Sequence, residues 1–499
     1  MSDDAPRRIA LSLVSHTNVG KTTLARTLLD RDVGAVRDEP HVTDAVDRFT
    51  MVETPEGDLL ELWDTPGFGD SARLARRLAQ TANPLGWFLS TVWDRFRDRP
   101  FWSTQLAVKN VRENADCVLY LVNASEAPAD AGYVAPEMQV LELVGKPVLV
   151  LLNQTGPPRP PEKEAAEVQV WRAHLARHGI VRGVLALDAF ARCWVQEVAL
   201  LAAVGELLPG EKRAAFARLR EAWRARREAR FERSMQIVAD RLARAAVDRE
   251  PVSDSGLAGR VRDLAATLGL GRDGAVAPKQ AAMQALAARL DADIRASTDR
   301  LIALHELGGS AREEILTRLA EHYAVRDRVS ESRAALVGGV VTGALTGLKA
   351  DLATGGLTFG AGLLVGGVLG ALGAVGLARG YNLVAGTGPP RVTWTDAVLH
   401  DLASAALLGY LAVAHHGRGR GEWAPHESPA HWQTTVTAVL ADRRAAFDRL
   451  WAERGEETDA AALAVRLTGP LTEAARALLA RLYPDSAFVA AVATARPRR

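Results

Sequence analysis

The sequence is short of several things, and each shortage excludes a class of protein. Only two of its 499 residues are cysteine, Cys117 and Cys193, so no disulfide framework holds the fold and a reducing compartment, the cytoplasm, is expected. Both stand in apolar stretches, as inert core thiols do. Charge of one sign is not in excess: 61 Lys and Arg face 60 Asp and Glu, a formal net charge of +1. That balance gives the whole chain no pull toward nucleic acid or an acidic lipid surface. Lysine itself is scarce, seven of the 61 basic residues, a bias of genome composition rather than of binding. The stretch MSDDAPRRIALSLV carries no long apolar run before the first motif, so no signal peptide is expected. No long internal repeat stands out. What is plentiful is apolar residue, 48% against 24% charged, a globular composition long enough for two to four domains.

The first motif follows at once. Ile9 to Val14 is a short apolar run, "SHTNVGKTT" spans Ser15 to Thr23, and Thr22 to Leu29 reads as the start of a helix. Strand, loop and helix are the context in which G-x-x-x-x-G-K-[ST] cradles phosphates on backbone N–H groups. Asn18, Val19, Gly20, Lys21, Thr22 and Thr23 are then the nucleotide-binding residues. Lys21 would reach the β- and γ-phosphates, and the Thr22 hydroxyl a magnesium ion. Ser15 stands where the motif has its first glycine.

Further strands follow. Residues 46–53 and 59–63 flank the turn TPEGD and predict a hairpin, whose second strand ends in "DTPG", Asp64 to Gly67. Asp64 at a strand end suits the metal, and the Gly67 N–H the γ-phosphate. Thr43, in the loop HVTDAV between phosphate loop and hairpin, can supply the metal with a second hydroxyl. Lys21, Thr43 and Gly67 are accordingly the candidate catalytic residues, and Thr22, Thr43 and Asp64 the candidate metal ligands. Apolar strands at 116–125, 147–156 and 181–190 alternate with helical stretches, the pattern of a doubly wound α/β domain.

TNVGKTT, a switch threonine and DTPG, in that order, resemble the translation-factor class of GTPases, most closely the Era/TrmE branch. With the later segment GALTGLKADLATGGLTFGAG, the whole chain resembles an uncharacterised bacterial family. There an Era-like G domain precedes a long C-terminal domain of unknown function. The resemblance implies a P-loop GTPase fold, binding of GTP and GDP with Mg2+, and slow hydrolysis. Two departures stand against the pattern. Where such GTPases read guanine with Asn-Lys-x-Asp, this chain has Asn153, Gln154, Thr155 and Gly156, so the carboxylate is gone while Asn153 and Gln154 remain as nucleotide contacts. Asp188, on the loop after VLAL, is the first alternative base reader. Phe68 follows DTPG where Ras-like proteins place the catalytic glutamine, so no side chain of the motif orients water. Relatives with this substitution can use K+ held by the loop asparagine, here Asn18. A hydrogen bond that merely shapes the loop is the alternative.

Between DTPG and the next strand, LGWFLSTVWDRFR places Leu85, Phe88, Leu89, Val92 and Phe96 at helical spacing, with Trp93, Phe101 and Trp102 close by. A core helix packing on the C-terminal half is the expectation. From Leu207 onward strand signals vanish. Arg213 to Val247 reads as one long helix with a solvated Arg-rich face, a linker follows at Leu268–Lys279, and helices at 280–306 and 310–333. Ser428-Pro429 opens a helix toward Arg454, and another covers 471–483.

Residues 334–380 differ from all this. Leu352 to Ala378 is 27 residues without a charge, and glycines recur at four-residue spacing at Gly339, Gly343, Gly347 and at Gly362, Gly366, Gly370. Such a glycine zipper lets two backbones approach closely, either as a re-entrant hairpin at the inner membrane or as a buried hairpin in a soluble domain. The fold class expected is therefore α/β, a P-loop G domain (1–205), followed by a helical domain (206–333), the glycine-rich hairpin (334–380) and a C-terminal helical region (381–499). The function expected is a slow GTP-hydrolysing switch. The alternatives are a ribosome or RNA assembly GTPase, or a membrane scaffold with a degenerate site. No basic RNA-binding domain is recognisable, so GTP, GDP, a protein partner or a second copy are the expected partners.

Overall fold

The structure, a computed structural model, describes residues 6–31, 46–80, 82–91, 98–156, 158–189, 193–252, 278–307, 381–384, 390–416, 429–455 and 457–484. The expected glycine zipper, the helix at 310–333 and Thr43 lie outside these residues, as do Val92, Trp93 and Phe96. The described residues form two compact units, one of residues up to Ala229 with 414–416 and 479–484, the other of Arg230–Val413 and residues 429–478.

Six strands make the sheet of the first unit: β1 (Arg8–Ser15), β2 (Asp47–Glu53), β3 (Leu59–Asp64), β4 (Cys117–Asn123), β5 (Val148–Asn153) and β6 (Val181–Ala186). Their order is β2-β3-β1-β4-β5-β6, with β2 antiparallel at the edge and every other pair parallel. Parallel strands must be covered on both faces, and side chains alternate between faces along a strand. In β4 the alternation is strict. Cys117, Leu119 and Leu121 enter one hydrophobic cluster, and Val118, Tyr120 and Val122 the other. Leu149 and Leu151 of β5 join the first cluster, while Val148, Val150 and Leu152 join the second. Both cysteines are buried and free, and burial pushes the Cys117 thiol up to about 12, so it stays a neutral packing group.

Helix α1 (Lys21–Leu29) covers the first face. On the second lie α2 (Ser71–Leu78), α3 (Pro84–Ser90), α4 (Arg99–Asn114), α5 (Val134–Val144) and α6 (Pro161–Leu175). The aromatic stretch after DTPG does not behave as expected. Phe88 and Phe101 are fully buried inside the G domain's own second cluster, with Phe68, Leu74, Leu78 and Val108, rather than on the C-terminal half. The short apolar faces of α2 and α3 need cover, and α5, with α4 against α3, provides it within the same unit.

Two more helices complete this unit, α7 (Trp194–Leu207) and the first part of α8 (Gly210–Val247). The Arg-rich face of α8 is not simply solvated. Arg218 Nε donates at 2.7 Å to Asp58, a fully buried carboxylate in the β2–β3 turn that also accepts the Arg7 N–H at 2.9 Å. The Arg218 guanidinium holds the Asp58 carboxyl below its usual range. Arg227 is 3% exposed, stacks on the Trp223 ring at 4.4 Å, pairs with Asp30 at the end of α1, and donates from Nε to Glu197 of α7 at 2.8 Å.

The second unit holds α9 (Pro278–Leu304), α10 (Asp396–Ala414), α11 (Ala430–Ala441), α12 (Arg444–Ala452) and α13 (Ala460–Leu482). It also contains a sheet that the sequence pattern conceals. Strands β7 (Arg249–Pro251), β8 (Tyr381–Val384) and β9 (Arg391–Trp394) pair antiparallel in the order β7-β9-β8. The helix expected from Ser428 to Arg454 is two helices, broken at Asp442 and Arg443. The one expected at 471–483 begins eleven residues earlier, because Pro470 lies inside α13 between buried Leu467 and Leu471. An interior proline costs ~3 kcal/mol, which burial of that apolar face offsets. Helix α10 has a mean hydropathy of 1.6 over its best window and is long enough to cross a membrane. Most of that window, 72%, is nevertheless buried within the fold, the state of a core helix.

Replacing Arg227 by alanine should destabilise the chain by ~3–5 kcal/mol, because two buried carboxylates lose their shared cation. Thermal unfolding followed by circular dichroism measures this, and Arg224→Ala, on the exposed face with Glu221 and Glu228, should cost under ~1 kcal/mol.

Candidate nucleotide site

The C-terminal ends of β1 and β3 release two loops side by side. Leu13 pairs with Asp64 in the sheet, and beyond the strands the Phe68 N–H donates to Ser15 O at 2.9 Å, forming a bridge between His16 and Phe68. A Cβ on Gly67 would meet Thr17 Cα at 3.0 Å and Lys21 Nζ at 3.2 Å, so the close approach of DTPG to the phosphate loop needs glycine there. Phe68 is fully buried in the second cluster and turned from the loop, in line with its inability to orient water.

Gly20 has φ +94°, and a Cβ there would lie 2.7 Å from Asn153 Nδ2. It precedes the first residue of α1, and the Leu24 N–H donates back to Gly20 O at 2.9 Å, so the helix N-terminus opens on the loop. Asn18 also adopts a left-handed backbone, φ 64°, tolerable for asparagine. Val19 and Thr23 are buried beside it.

Ser15 needs no glycine's freedom, because it still belongs to β1. Its hydroxyl accepts a hydrogen bond from Lys21 Nζ at 2.9 Å, and Nζ lies 3.4 Å from His16 O. Lys21 is 7% exposed. Burial pulls its pKa down, while the charges of Asp64 and Glu137 oppose that fall. Thr22 Oγ1 donates to Asp64 Oδ2 at 2.6 Å, and among the described residues nothing hydrogen-bonds the buried Asp64 Oδ1. Burial raises the Asp64 carboxyl to about 6, against the Thr22 hydrogen bond and Lys21. A buried carboxylate oxygen lacking a donor, next to a hydroxyl, fits a hard divalent cation completed by phosphate oxygens and water. Among the described residues no group of three or more His, Cys, Asp or Glu side chains is placed to hold a metal ion.

Asn153 has a structural role in the loop. Fully buried, its Nδ2 donates to Val19 O at 2.6 Å and its Oδ1 accepts the Ala189 N–H at 2.7 Å, so it ties the phosphate loop to the end of β6. Gln154 and Gly156 both have positive φ, 59° and 80°. Asp188, 4% exposed, accepts from Thr155 N–H at 2.6 Å and Thr155 Oγ1 at 3.0 Å, which sets a carboxylate beside the loop that lacks one. The sequence pattern missed two further groups. Thr104 of α4 accepts the Gly69 N–H at 3.1 Å, and Glu137 of α5 lies buried behind the phosphate loop. The place of Glu137 on the apolar face of VAPEMQVLELV, one turn from Val134 and Leu141, was the only available signal for the second.

Known proteins bear on this geometry. A family model described as "50S ribosome-binding GTPase" matches residues 10–154, and one described as "Domain of unknown function (DUF3482)" matches residues 172–482. No curated protein matches the chain. Among solved structures, Era bound to MgGDPNP and a 16S ribosomal RNA fragment is 17% identical over 41% of this chain and 58% of that one, TM-score 0.31. An Era variant from Aquifex aeolicus with GDP and aluminium fluoride is 18% identical over 40% of this chain and 57% of that one, TM-score 0.30. A bacterial selenocysteine-specific elongation factor, EF-Sec, is 15% identical over 36% of this chain and 25% of that one, TM-score 0.24. The chain thus spans little more than half the length of the Era chains it matches. With strand, phosphate loop, helix and DTPG assembled as described, the N-terminal region is a P-loop GTPase domain, and the chain, matched over more than half its length, belongs to the family described as a domain of unknown function, DUF3482.

Proposed function

We propose that the chain binds GTP with Mg2+ and hydrolyses it slowly to GDP and phosphate, working as a switch. The observation that carries this reading is the buried Lys21 ammonium, held by Ser15 at the mouth of α1 with Asp64, Thr22 and Gly67 around it. In a site of low dielectric that ammonium attracts phosphate oxygens far more strongly than it would in water. Backbone N–H groups of residues 18–22 receive the remaining oxygens, and the helix N-terminus favours their charge. Thr22 and Asp64 hold the cation, as Thr43 would from the loop before β2. When bound, Mg2+ neutralises charge on the β- and γ-phosphates. The Gly67 N–H faces the γ-phosphate, and loss of that phosphate releases the DTPG segment. With Phe68 buried in the core, no side chain of the motif aligns the attacking water, so intrinsic turnover is slow.

Lys21→Ala should reduce GTP turnover by at least about a hundredfold, measured as phosphate release from the full chain. Equal turnover in wild type and variant would overturn the assignment.

Base selection should be shallow. Gly156 offers no carboxylate to the guanine edge, and losing such a paired contact forfeits ~1–3 kcal/mol of discrimination. ATP should compete with labelled GTP at an excess of about a hundredfold or less, against the many thousandfold expected of a full base-reading motif. If Asp188 takes over part of that reading, Asp188→Ala narrows the gap further.

A further inference from the structure

One buried charge in the GTPase domain is used by nothing described so far. Glu137 sits on α5 with its side chain fully enclosed. Its Oε1 accepts from His16 Nδ1 at 2.7 Å and from Ser71 Oγ at 2.7 Å, and its Oε2 accepts from the Tyr120 hydroxyl at 2.6 Å. Burial and the neighbouring carboxylate raise the Tyr120 pKa well above its ordinary value, so it remains a donor. His16 is further fixed by stacking on Tyr133 with ring centroids 4.8 Å apart. Enclosing a carboxylate costs several kcal/mol unless donors surround it, and an apolar residue would fill the same volume at less cost. The places its donors come from are therefore informative. His16 is the second residue of the phosphate loop, Ser71 is the first residue of α2 directly after DTPGFGD, and Tyr120 is on the central strand β4.

We propose that Glu137 is a positioning residue for GTP hydrolysis: its carboxylate clamps the phosphate loop, through His16, to the start of α2, through Ser71, and so sets where Gly67 meets the γ-phosphate. The inference rests on the GTPase reading above. Nucleotide binding depends on Lys21, the loop backbone and Asn153; Glu137 hydrogen-bonds none of them, and its charge reaches Lys21 only through space. Hydrolysis depends also on the DTPG segment, which leaves the sheet at Asp64 and is next pinned to a side chain at Gly69, by Thr104, and then at Ser71. The Phe68 N–H bond to Ser15 O and the Thr65 Oγ1 bond to Leu13 O, at 2.6 Å, hold the near end of that segment, so loss of the clamp loosens its far end at Ser71 and leaves the phosphate loop's own bonds in place. The effect is expected on kcat and not on GDP affinity.

The test measures GTP turnover, GDP affinity and amide exchange at residues 67–78 in the full chain. Glu137→Gln should lower kcat about tenfold while GDP affinity stays within about twofold, and exchange at 67–78 should quicken. Ser71→Ala should reproduce the kcat loss. His16→Gln, which keeps an N–H donor, should restore most of what His16→Ala loses. Unchanged kcat in Glu137→Gln overturns the proposal, as does an equal fall in kcat and GDP affinity, which would make Glu137 a support of the loop alone. Should Glu137→Gln fail to fold, Ser71→Ala and Tyr120→Phe each remove one bond and carry the same comparison. A wild type with no turnover overturns the GTPase reading; quickened exchange at 67–78 would then still uphold the clamp, and unchanged exchange would overturn it as well.

Discussion

A single backbone hydrogen bond, Phe68 N–H to Ser15 O, locks the phosphate loop onto the segment after β3, and the rest of the site is arranged around it. Gly67 is glycine because that lock brings it within contact of Thr17 and Lys21. Phe68 is apolar because the same lock turns its side chain into the cluster that also holds Val14 and Phe101. Where Ras-like proteins place a glutamine after this motif, this chain has a packing residue.

The domain supports the lock from three sides. From behind, Asn153 fixes Val19 and the β6 end with two bonds of one side chain. From the second face, Thr104 and Glu137 hold Gly69 and Ser71. On the first face, α1 runs from the loop to Asp30, where Arg227 of α8 meets it together with Glu197. The helix that carries the phosphate-facing residues thus ends on a buried ion cluster. Breaking such a cluster by removing one member costs far more than the cluster itself contributes, because the remaining charges stay enclosed.

What was legible in the sequence was local. The central strands of the G domain follow from short continuous apolar runs, and the phosphate loop and DTPG from their fixed spacing, and the structure places them within one or two residues of expectation at most ends. Ser15 looked like a defect and proved compatible, since a strand residue needs no positive φ and its hydroxyl meets Lys21. What was not legible depends on partners distant along the chain. Arg218 and Arg227 read as solvated because their carboxylates lie 160 and 197 residues away. Strands β7, β8 and β9 are three or four residues each and gain order from one another and, for β7 and β9, from α9. The helix expected at 471–483 starts earlier because packing carries it through Pro470. The bonds by which Asn153 also braces the loop became visible only once β5 and β6 were side by side.

The central claim is that the Lys21–Thr22–Asp64 arrangement is a phosphate and metal site. Isothermal titration of the full chain with GDP, in Mg2+ and again in EDTA, tests it most directly. The account predicts one site per chain of micromolar affinity or tighter, on the order of −8 kcal/mol, weakened when the cation is removed. Absence of binding at millimolar GDP in the presence of Mg2+, by a chain that is folded, would contradict it.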